Sequence, residues 1–138
     1  VQGSQSRNLP QMIDGAFGSH KQMIIFPAGL CSRKIDGVIQ DRAWTKTFIV
    51  KSKESKRAIV PVHFIGRNSN RFYFVARLCT ILKLKTNLAM FLLPDEFYKA
   101  RNSKFTVIFG KPIPAETFDN SRTPLEWASV VRKTVYKL

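Results

Sequence analysis

The stretch Ile24-Ile25-Phe26-Pro27-Ala28-Gly29-Leu30-Cys31-Ser32-Arg33-Lys34 puts a glycine, a hydroxyl and two cations behind an apolar run that ends in proline. An apolar strand running into Pro-x-Gly builds a sharp loop at the strand's C-terminal end, where open α/β sheets hold their ligands. Gly29 lets the backbone approach a ligand closely. Exposed N–H groups, with Arg33 and Lys34 beside them, suit an anion such as a phosphate. A tight basic turn that holds no ligand has the same composition, so these residues alone leave both readings open. Further along, Ala58-Ile59-Val60-Pro61-Val62 reads as a buried strand whose proline removes a ladder donor, so the strand should end, bulge or lie open near Pro61.

Other reactive side chains are few. Cys31 and Cys79 make neither a disulfide framework nor a four-ligand metal site, which points to a reducing environment and to no metal or cofactor. Cys31 could serve as a nucleophile only with a histidine that the sequence does not place. His20 reads as a surface side chain. His63, between Val62 and Phe64, reads as structural.

The elements that must position these residues follow from periodicity and punctuation. Leu9, Met12, Ile13, Ala16 and Phe17 recur on one helical face, with Asn8 as N-cap, Pro10 in the first turn and Gly18 at the stop. Met23–Phe26 reads as a buried strand, and 27–40 as a loop. Asp41 is expected to cap a helix over 42–53 with Trp44 and Phe48 facing inward. A strand over 58–65, a turn over 66–70, a helix over 71–84, a less regular segment over 87–100 broken at Pro94 and a strand over 105–109 come next. Thr123-Pro124-Leu125-Glu126 carries a capping box and opens a terminal helix, with Arg132, Lys133 and Lys137 complementing its dipole. Alternating helices and strands predict an α/β fold with mostly parallel strands flanked by helices.

Composition sets the class and the partners. The 138 residues fit a single domain, and 44% hydrophobic content can bury a core. Lys and Arg number 23 against 9 Asp and Glu, a formal net charge of +14. Such a field attracts polyanions: nucleic acid, an anionic membrane surface or an acidic carrier protein. No apolar stretch approaches the roughly 18–20 residues that span a bilayer.

Taken together, the two motifs resemble conserved blocks of the glycerolipid acyltransferase family, written Phe-Pro-Glu-Gly-Thr-Arg-Ser and Val/Ile-Pro-Val/Ile. Gly37-Val38-Ile39-Gln40-Asp41-Arg42-Ala43-Trp44 and Gly66-Arg67-Asn68-Ser69-Asn70-Arg71-Phe72-Tyr73 extend the likeness over residues 20–115, toward the hemolysin-like branch that includes lyso-ornithine-lipid acyltransferases. Ala28 stands at the glutamate position, as in that branch. Leu30 and Cys31 occupy the Thr and Arg positions, so Arg33 or Lys34 would have to supply the motif's charge. The resemblance implies transfer of a fatty acyl group from acyl-CoA or acyl carrier protein to a lysolipid hydroxyl. Phe26, Pro27, Gly29, Ser32, Arg33, Lys34 and Pro61 would bind substrate, and Arg42 and Arg67 would meet the membrane or the donor.

Family chemistry rests on His-x4-Asp, in which the aspartate orients the histidine as general base. Five residues after His20 lies Ile25, and five after His63 lies Asn68, so no catalytic residue is assigned here. The expectation is a C-terminal portion, 1–138, of an acyltransferase domain whose catalytic part lies upstream. It would act peripherally at the cytoplasmic side of the inner membrane. The alternative is a basic nucleic-acid-binding module that uses Phe72-Tyr73-Phe74 for stacking, although no zinc-finger, RNP-like or recognition-helix pattern accompanies them.

Overall fold

The computed structural model describes residues 8–84 and 86–138. In chain order they form α1 (Leu9–Gly18), β1 (Arg33–Ile35), β2 (Val38–Gln40), α2 (Thr47–Ser55), β3 (Val62–Ile65), α3 (Asn70–Ile81), a 3-10 turn (Leu88–Leu92), α4 (Leu93–Lys99), β4 (Thr106–Phe109) and α5 (Pro124–Val135). The fold is mixed α/β, as expected. The expected parallel pairing is not found. Among the described residues β1 pairs with β2 antiparallel and β3 pairs with β4, in the antiparallel sense set by the Ile59–Ile113 bridge. Parallel neighbours need a crossover of about a dozen or more residues, and the two-residue turn between β1 and β2 leaves no room for one.

Three other expectations need correction. Met23–Phe26 is not a strand: it takes no regular secondary structure, with Ile24 86% and Phe26 80% exposed. Residues 27–40 are not all loop, because Asp36 and Gly37 take positive φ and fold Arg33–Gln40 into a hairpin. Asp41 is not at the N-cap of α2, which starts at Thr47 after Lys46. Pro61 acts as anticipated: Ile59 bridges Ile113, the ladder breaks, and β3 resumes at Val62. Pro94 stands in the first turn of α4, where its missing N–H costs nothing. The capping box of α5 is complete, with the Thr123 N–H donating to Glu126 Oε2 at 2.7 Å and the Glu126 N–H to Thr123 Oγ1 at 3.3 Å.

The described residues divide into two compact units, one within Cys31–Arg42 and Phe64–Val107, the other of 8–30, Ala43–His63 and Ile108–Leu138. In the first, Phe72, Tyr73, Ala76 and Ala89 form the core, with Cys31, Ile39, Leu92 and Leu93 packed on it. In the second, Phe48, Ile49, Phe118, Trp127, Ala128 and Val131 form the core, flanked by Trp44, Ile59 and Ile113. Trp44 and Phe48 meet edge to face at 5.9 Å, the inward pair that the helix reading anticipated. Among the described residues no helix is long and apolar enough to cross a membrane.

Candidate functional site

The unit end at Leu30–Cys31 divides the proposed motif. Ser32, Arg33, Lys34, Arg42 and Arg67 belong to one unit; Phe26, Pro27, Gly29 and Pro61 belong to the other.

In the first unit, hairpin and helix α3 fix the cationic residues. Ser32 Oγ lies 3.4 Å from the Tyr73 hydroxyl, which accepts the Asn68 N–H at 3.2 Å. Arg33 turns back on its own backbone, Nη1 donating to the Cys31 carbonyl at 2.7 Å and to the Ser32 carbonyl at 3.1 Å. Its guanidinium sits 5.8 Å from the centre of the buried Phe72 ring. These two Nη1 bonds pre-order the loop around Arg33. Lys34 is exposed and lines a groove of about 630 Å³ with Asp36, Asn70, Tyr73, Phe74 and Arg77. Arg67 donates to Asn70 Oδ1 at 2.7 Å, and Arg42 is exposed.

The start of α3 is itself locked. Ser69 Oγ accepts the Phe72 N–H at 3.2 Å, while the Ser69 N–H and Oγ–H both donate to the Glu96 carboxylate at 2.5 Å. Glu96 is only 8% exposed, and a buried carboxylate persists where such donors satisfy it. Sequence reading missed Tyr73, Ser69 and Glu96 as supports of the loop. Ser69 alone carried a local signal, a serine immediately before a helical run.

In the second unit, the Gly29 N–H closes a turn on the Phe26 carbonyl at 3.0 Å, with Gly29 at φ 66°. The Pro27 carbonyl accepts the Thr45 N–H at 3.0 Å. Pro61 is buried; its carbonyl accepts the Gly110 N–H at 2.8 Å, and a Cβ at Gly110 would lie 3.3 Å from the Pro61 ring. Arg57 donates to the carbonyls of Phe17, Ser19 and Lys21 at 3.3, 2.9 and 2.6 Å. It thereby ties down the segment that leads into Met23–Phe26. Lys51 bridges Asp14 and Glu54, both at 2.6 Å, and those contacts raise its pKa.

A family model described as acyltransferase matches residues 1–138. The chain belongs to this acyltransferase family. It is 55% identical over 136 residues to a lyso-glycine lipid O-acyltransferase of Bacteroides thetaiotaomicron and 52% identical over 136 residues to one of Phocaeicola vulgatus. Each alignment takes in 99% of this chain but only 50% and 49% of the respective relative, so the chain spans about half the length of the curated relatives it matches. No solved structure matches it.

The histidines of this acyltransferase chain take structural or surface positions. The His63 ring lies 5.7 Å from that of Tyr136, with Nδ1 buried, and His20 is exposed. Neither has a carboxylate partner among the described residues. The aromatic triplet set aside for nucleic-acid stacking is not displayed: Phe72 is 0% and Tyr73 3% exposed, and only Phe74 faces outward.

Proposed function

We propose that this chain is part of an enzyme that moves a fatty acyl group from acyl-CoA or acyl carrier protein to the hydroxyl of a lysolipid, with a lyso-glycine lipid as acceptor. The identity of 55% and 52% to proteins of that name, sustained along 99% of the chain, carries the reading. Acylation on oxygen needs a general base. It takes the acceptor's hydroxyl proton as that oxygen attacks the thioester carbonyl carbon; the C–S bond breaks and the thiolate leaves, taking up a proton. That base is assigned to a His-x4-Asp outside this chain. Ser32, Arg33 and Lys34 are assigned to the acceptor's anionic head group. A glycine head group with a free carboxylate suits an arginine fork, which pairs a carboxylate as well as it pairs a phosphate. Phe26, Pro27, Gly29 and Pro61, which belong to the other unit, are assigned to substrate binding as well. Arg42 and Arg67 are assigned to the donor or to an anionic membrane at the cytoplasmic side of the inner membrane, where the enzyme works peripherally.

The test is turnover by the full-length protein with acyl-CoA and acyl carrier protein donors, offered lyso-glycine lipid and lysophosphatidic acid separately. O-acylated glycine lipid is the expected product. An Arg33→Ala variant is expected to raise the acceptor KM and leave the donor KM unchanged. Turnover confined to lysophosphatidic acid, or absent with every pair, overturns the proposal.

A further inference from the structure

Helix α3 is apolar on two sides. Phe72, Tyr73, Ala76 and Cys79 point into the core of their unit. On the other side Phe74, Leu78, Ile81 and Leu82 are 68%, 41%, 63% and 57% exposed. Their spacing of i, i+4, i+7 and i+8 makes one continuous stripe at the helical period. A helix with a single buried face keeps its other face polar, so an apolar stripe of this length marks a contact surface. Arg77 flanks the stripe and Lys83 lies just beyond its end. Neither makes an ion pair among the described residues, whereas Arg71 lies 3.6 Å from Asp95.

We infer that the outer face of α3 docks into the interfacial region of an anionic bilayer. Phe74, Leu78, Ile81 and Leu82 enter the acyl boundary, and Arg77 and Lys83 meet lipid head groups. A large apolar face fringed by cations, in a chain of net charge +14, has the pattern of an interfacial helix. A second copy of the chain fits this face poorly, because it would set Arg77 and Lys83 against their own like charges. The choice of occupant rests on the acyltransferase reading, since a lysolipid acceptor must be drawn from a lipid surface.

The experiment uses the full-length protein and vesicles of phosphatidylglycerol and phosphatidylcholine whose acyl chains carry bromine. Phe74→Trp and Ile81→Trp variants report depth by quenching of the new indole, measured against the parent's own tryptophan signal. Strong quenching at both positions is expected. An Ile81→Ser/Leu82→Ser double variant is expected to bind these vesicles about tenfold more weakly or worse, from the apolar area withdrawn. Its turnover on acceptor dispersed in detergent should match that of the parent.

No quenching at either position, with vesicle binding unchanged in the double variant, overturns the inference. So does a concentration-dependent dimer that the double variant abolishes. If the acyltransferase reading were wrong, turnover would be missing from the parent as well, while the quenching result would still stand or fall by itself.

Discussion

Glu96 holds the start of α3, and its removal should be felt both in stability and at the acceptor. The Glu96 carboxylate accepts the Ser69 N–H and the Ser69 hydroxyl, both at 2.5 Å, at a position only 8% exposed. Hydrogen bonds to charged groups contribute about 1.5–3 kcal/mol each, and the lower end suits a site at the edge of a core. Glu96→Ala therefore should cost about 3 kcal/mol, part of it from leaving the Ser69 N–H without an acceptor. Glu96→Gln keeps an oxygen for that N–H and should cost about 1 kcal/mol. Urea unfolding of the full-length protein measures both, and a double-mutant cycle with Ser69→Ala isolates the pair. A coupling of about 1 kcal/mol or more is expected between residues that share a network. The reasoning is refuted if Glu96→Ala lies within about 0.5 kcal/mol of the parent, the range of a neutral surface change. It is equally refuted if the two substitutions simply add. Since Tyr73 stands on the same helix and reaches Ser32, Glu96→Ala should also raise the acceptor KM.

Two further outcomes follow from backbone geometry. Gly29 sits at φ 66° with nothing within 4 Å of where a Cβ would stand, so Gly29→Ala meets conformational strain without a clash. It should lose about 1 kcal/mol by urea titration, and Gly29→Asn should lose less. At the other end of the chain, the Thr123 N–H and hydroxyl hold the Glu126 carboxyl below its ordinary pKa. A depressed carboxyl stabilises the fold above its unfolded pKa, near about 4.3, and that contribution fades as pH falls through the lower folded value. Thr123→Ala should destabilise near neutral pH, because it removes the N-cap hydroxyl and with it a donor to Glu126. The gap to the parent should narrow in the acid range; a gap constant with pH would count against the capping box as its source.

Features set by neighbouring residues were legible in the sequence. Thr123 and Glu126 close the capping box that their spacing announced, and Pro61 breaks its ladder because a proline has no N–H to donate. Pro94 read as a break but opens α4, a reminder that the same missing N–H marks a start as readily as a stop. The hairpin over Arg33–Gln40 was missed although Asp36-Gly37, set between apolar residues, is a strong two-residue turn signal. The cluster of Gly29, Ser32, Arg33 and Lys34 had been read as one continuous loop. The pairing of strands distant in sequence was not legible. Met23–Phe26 has the composition of a buried strand, but composition does not supply a partner, and without one its side chains stand exposed.

The supports of the candidate site lay beyond sequence reading for the same reason. Ser32 meets Tyr73 across 41 residues, and Ser69 meets Glu96 across 27. Neither pair has a spacing that a helical or strand period would bring together. The residues that could touch an anion are contiguous and therefore visible, because a loop with Gly29 and the Arg33 fork is a local device. The residues that hold that loop in place are dispersed, because a rigid loop must be tied to a core built from distant segments. Arg33 shows both levels at once. Its charge is evident in the sequence, yet what orients it is the buried Phe72 ring and two carbonyls of its own loop. Phe72 is in turn placed by the serine cap that Glu96 secures. The head-group specificity proposed for Arg33 therefore depends on Glu96, a carboxylate that need never touch the lipid.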